Sequence, residues 1–135
     1  MKRYVLCFAI LHISYGLQAK DIQQFMQLEP PQSKRFQCAY QKRVAEKPCV
    51  VSLHLSEPEH PSTKQYFGNT AHLVLKIQWP DGQSSRYALM SSYQLLNIRN
   101  EQHYHFKTAA HSTAELDFSD GLIILDQQNE HIRLW

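Results

Sequence analysis

The sequence predicts an all-β fold, a small antiparallel meander closing into a barrel or sandwich of about 7–8 short strands, with at most one short helix before it. Three observations predict it. Apolar residues alternate with polar ones along most of the chain after residue 33, the period of a strand with one buried face. Short clusters rich in Gly, Pro, Asn, Asp and Ser separate these runs at near-regular intervals. Two cysteines, Cys38 and Cys49, stand in two successive runs of this kind, where a single disulfide could staple them.

Taken in order, residues 1–19 have the layout of an export signal. Met1-Lys2-Arg3 is a positive head, Tyr4 to Ile13 an apolar run broken only by His12, and Ser14 to Ala19 a more polar tail ending on a small residue. The apolar stretch is too short to span a bilayer, which needs ~20 such residues. Cleavage before Lys20 is therefore expected, giving an exported protein of the periplasm or medium with no transmembrane segment. Of 14 basic residues Lys2 and Arg3 leave, so the formal net charge falls from +2 to zero. Neutrality argues against nucleic acid as a partner. Cys7 leaves too, and an even pair in an oxidising compartment points to a Cys38–Cys49 disulfide.

Residues 20–32 read as an arm or short helix, with Asp21 as N-cap, Ile22, Phe25 and Met26 on one face, and Pro30-Pro31 as the stop. Residues 33–135 form the single β-rich domain. Phe36, Cys38 and Tyr40 alternate with Arg35, Gln37 and Ala39. After a basic loop over 41–48, Val51, Leu53 and Leu55 form one face of a second strand, and antiparallel pairing of the two would bring the cysteines together. Residues 57–70 read as the longest loop, with Tyr66 and Phe67 as its only large apolar groups. Long ordered loops are disproportionately functional. Next, Leu73, Leu75, Ile77 and Trp79 share a face, Pro80-Asp81-Gly82 makes a turn, and Tyr87 and Leu89 return inward. Further strands are expected over 93–98, 103–109, 113–118, 122–126 and 131–135.

Chemistry-bearing patterns are sparse. His103 and His105 flank Tyr104, so on a strand both imidazoles project to one side, about 6–7 Å apart. With His111, Glu101 or His72 as a third ligand from a neighbouring strand they could hold zinc or copper. No other cofactor is suggested. Glu115 and Asp117 share a strand face with Asp120 nearby, but Leu116 and Phe118 take the buried face, leaving the acids solvated. A general acid needs desolvation, so an acidic surface for a partner fits better than catalysis. No G-x-S-x-G elbow or phosphate-cradling glycine loop occurs. Charge is segregated: residues 34–47 are strongly basic, residues 101–135 acidic.

In size, export segment, single disulfide and strand content the outline is similar to that of small periplasmic lysozyme inhibitors. Their recognition-loop motif is absent, and no functional residue carries over. The expected function is a non-enzymatic binding or inhibitor-like module for a protein partner such as a hydrolase, a toxin or an assembly factor. Tyr66, Phe67, Glu115, Asp117 and Asp120 are the candidate contacts. A metal-binding protein or metal-dependent enzyme using His103 and His105, and an accessory domain of an envelope assembly, are the alternatives.

Overall fold

The computed structural model describes residues 21–58, 61–91, 93–98, 113–126 and 130–135. The expected export segment therefore lies outside the described residues, as does the expected strand over 103–109. A helix over 21–25, α1, opens the described chain. Ten strands and a second helix follow: β1 (Gln32–Phe36), β2 (Cys38–Tyr40), β3 (Arg43–Val44), β4 (Cys49–Ser56), α2 (Pro61–Phe67), β5 (His72–Gln78), β6 (Ser84–Leu89), β7 (Gln94–Asn97), β8 (Thr113–Asp117), β9 (Leu122–Asp126) and β10 (His131–Leu134).

All ten strands belong to one sheet in the order β1-β4-β5-β6-β7-β8-β9-β10-β2-β3, every pairing antiparallel. From β4 to β10 the order is a plain meander, as the alternating pattern and short turns predict. The antiparallel all-β fold is as expected, but barrel or sandwich describes it only loosely, because the single sheet is open, with β1 and β3 at its edges. It is nevertheless curled. Only Gln37 separates β1 from β2, so one continuous segment pairs first with β4 and then with β10, at opposite ends of the order. At the bend Gln37 exchanges two main-chain hydrogen bonds with Trp135, at 2.9 and 3.0 Å.

This bend also corrects the expected hairpin between residues 36–40 and 49–56. Phe36 does pair with Cys49, but Cys38 lies beyond the bend and pairs with Leu134. The disulfide forms all the same, with a Cα–Cα distance of 5.9 Å. It joins β4 to β2, next-to-edge strands at the two extremes of the pairing order. Within the expected basic loop the chain makes a further turn into β3. Gln41 and Lys42 both adopt left-handed conformations (φ 51° and 67°), as a two-residue hairpin requires.

Inside the curl the core gathers one face of every strand from β4 to β10. Val51, Leu53, Leu75, Ile77, Tyr87, Leu95, Leu122, Ile124, Ile132 and Leu134 are all fully buried. Burying such a side chain stabilises by ~1.5–3 kcal/mol each. Ile22 and Phe25 of α1 enter the same core, with Phe25 edge-on to Phe36 at 5.3 Å. The residue expected to cap α1, Asp21, instead lies inside the helical run and pairs with Lys34 at 3.3 Å. The Pro80-Asp81-Gly82 turn forms as expected, with Gly82 at φ 88° and the Asp81 carboxylate accepting from the Gln83 N–H.

Candidate functional site

The outer face of β4–β6 is where the fold concentrates polar chemistry. Side chains on a strand alternate between faces, so once Val51, Leu53, Leu75, Ile77 and Tyr87 point inward, Ser52, His54, Ser56, His72, Val74, Lys76, Arg86 and Ala88 must point out. Register then sets the neighbours. Ser52, Lys76 and Arg86 form one cross-strand row, and Ser56 faces His72. Between them His54, Val74, Ala88 and Leu96 form another row. Val74, Ala88 and Leu96 are fully buried although they lie outside the interior cluster, so this face has an apolar floor.

Over that floor stand two imidazoles and two permanent cations. None of the three strands contains Asp or Glu. Lys76 and Arg86 lie directly opposite each other, an arrangement of like charges that destabilises a sheet. His72 is 6% exposed and its ring is stacked on Phe67 of α2, with centroids 4.4 Å apart and planes 10° off parallel. Burial, and then the charges of Arg86 and Lys76, push the His54 imidazole below its ordinary pKa. Burial lowers that of His72 as well, followed by His54; the Thr70 carbonyl opposes this, and Arg86 adds to the lowering. Two polar atoms of the cluster are buried without a hydrogen-bond partner, His72 Nδ1 and Arg86 Nε. A buried unpaired donor costs about 1–3 kcal/mol, so holding these groups on this face works against folding.

The residues singled out by sequence are distributed differently. The expected 57–70 loop contains α2. Tyr66 projects from that helix half-exposed, while Phe67 is taken by His72. Glu115 and Asp117 are exposed on the outer face of β8, three strands along the sheet from β5. The Asp117 carboxylate accepts from the Ser119 N–H at 2.8 Å. Asp120 accepts from Arg133 Nη2 at 2.9 Å, and Arg133 lies over the Trp135 ring at 4.3 Å. The acids thus do not converge with Tyr66 and Phe67. His103, His105 and His111 lie outside the described residues. Among the described residues no group of three or more His, Cys, Asp or Glu could hold a metal ion. Among them, too, no helix is long and apolar enough to cross a membrane.

The cluster was missed because His54, Lys76 and Arg86 look like routine outward-facing positions when each strand is considered alone. The available signal was the absence of any acid across three consecutive strands. No family model, curated protein or solved structure matches the chain.

Proposed function

We propose that the protein is a small exported binding module, not an enzyme, which holds a protein partner through an acidic segment laid on the outer face of β4–β6. The observation that carries this reading is the cross-strand Lys76–Arg86 pair. Folding gains nothing from placing two cations side by side with no acid on the same strands, whereas an anionic partner turns the repulsion into attraction. The Cys38–Cys49 disulfide is compatible with maturation outside the reducing cytoplasm. Tyr66, half-exposed on α2, supplies an aromatic contact beside the cationic face, of the kind that dominates binding energy at interfaces.

The test is affinity capture from envelope and medium fractions with wild-type protein and with Lys76→Glu/Arg86→Glu. One discrete partner should be retained by the wild type and lost by the charge-reversed variant. It should also elute near 1 M salt, where charges are screened beyond ~3 Å. A partner held equally by both proteins, or no partner in either fraction, refutes the proposal.

A further inference from the structure

One member of the cationic face can change its charge near neutral pH and still lies within a partner's reach. His54 projects outward from β4 and is partly exposed. Register sets it opposite Val74, which makes Lys76 and His72 its diagonal neighbours on β5. Diagonal pairs stand about 7–8 Å apart, a span that long side chains cover. Arg86 lies directly beyond Lys76 on β6, so a segment laid across Lys76 and Arg86 passes beside His54. His72 lacks this access, being 6% exposed and covered by the Phe67 ring. The charges around His54 are one-sided. β5 contributes Lys76 and His72, and β6 contributes Arg86. On the other flank of β4, β1 brings Ser33 opposite Ser52 and Arg35 opposite Val50. α2 adds Lys64, and Glu57, the nearest acid in sequence, is exposed just past the end of β4. Burial, Arg86 and Lys76 resist a proton on the His54 ring, and among the described residues no carboxylate favours one. The ring of the free protein is therefore mostly uncharged at neutral pH. A carboxylate brought within about 4–6 Å reverses this balance, because an opposite charge favours the protonated imidazole.

We propose that His54 is a binding residue of the acidic-segment site and takes up a proton as the segment docks, so that the protein holds its partner more tightly in more acidic surroundings. This rests on the binding face proposed above and adds to it a dependence on pH. The sign follows from reciprocity. A segment that helps His54 hold a proton is itself held more firmly when protons are plentiful. Affinity therefore rises as pH falls through the neutral range and levels off once the ring of the free protein is protonated too.

The experiment is a calorimetric titration of the intact oxidised protein with N-acetylated hexaglutamate at low salt. It is run at about pH 7.5 and about pH 5.5, where glutamate stays mostly ionised. Wild type should bind about tenfold more tightly at the lower pH, within the range usual for two coupled binding events. Repeating the titration between these limits in buffers of different ionisation heat should show uptake of up to about one proton per peptide. His54→Gln should match wild type at the higher pH and gain nothing at the lower, whereas His131→Gln, on β10, should keep the full gain. If His54→Gln fails to fold, NMR of the wild-type His54 ring decides, and a titration midpoint that does not move up on adding peptide overturns the proposal. Equal affinity at the two pH values, or an undiminished gain in His54→Gln, also overturns it while leaving the cationic face as a binding site. Absence of binding at both pH values would sink that face and the proton coupling together.

Discussion

Replacing both half-cystines, Cys38→Ala/Cys49→Ala, should lower stability by about 4–5 kcal/mol, and the estimate has two parts. The bridge spans 11 positions of sequence, and closing so short a loop in the unfolded chain is worth about 3 kcal/mol. Both residues are fully buried in the core, and removing each sulfur adds ~1 kcal/mol of lost packing. Against a net stability of about 5–15 kcal/mol this is a large fraction. For a domain of this size, 1 kcal/mol moves Tm by about 3–6 °C, so the melting point should drop by about 12–30 °C. Circular dichroism melts of wild type and variant measure the total. Melts of wild type with and without dithiothreitol isolate the loop-closure part, about 9–18 °C, because the thiols still fill their space. Oxidised and reduced protein melting within about 3 °C of each other would show that β2 and β4 are held together without the bridge, and the reasoning would fail.

Gly121→Ala should be severe for its size, because Gly121 has φ +70° and an added Cβ would meet the Leu134 carbonyl oxygen. A loss of about 2–4 kcal/mol in urea unfolding is expected, combining left-handed strain with displacement of β10. Leu75→Ala should cost about 2–5 kcal/mol and Leu55→Ala less than about 0.5, since Leu75 is fully buried and Leu55 is 61% exposed; paired urea titrations check the contrast. Stability should also fall on mild acidification. His54 and His72 have lowered pKa values in the folded state, so the unfolded chain binds their protons more readily. Their contribution is therefore complete above the ordinary value of 6.5 and declines as pH drops below it. The groups opposing protonation are Arg86, Lys76 and His54 itself, with the Thr70 carbonyl acting the other way. A His54→Gln/His72→Gln double variant should flatten this part of the pH–stability profile, and an unchanged slope would contradict the assignment.

Much of the architecture was legible because it rests on local periodicity. The inward set Leu73, Leu75, Ile77, the Pro80–Gly82 turn and the Leu116/Phe118 face follow from alternation and turn chemistry, both properties of a few consecutive residues. The disulfide followed from parity of cysteines. The bend at Gln37 was hidden because nothing in residues 33–40 interrupts the alternation; it becomes visible only when β4 and β10 compete for one strand. Residues Pro61–Phe67 carried proline, serine and threonine, which read as loop, yet Pro and Ser are tolerated in a first helical turn and Phe67 finds His72 to pack on. The cationic face stayed hidden for a related reason. Its members lie on three strands, and only register shows that Lys76 meets Arg86.

The hydrogen bonds between Gln37 and Trp135 join the chain near both of its described ends. β1 finds its partner in β4 soon after, but β2 must wait for β10 to be synthesised and to arrive. Contacts so distant in sequence slow folding. A chain emerging from the ribosome therefore cannot complete β2, or close the Cys38–Cys49 bridge in its final setting, until residues 131–134 have been made.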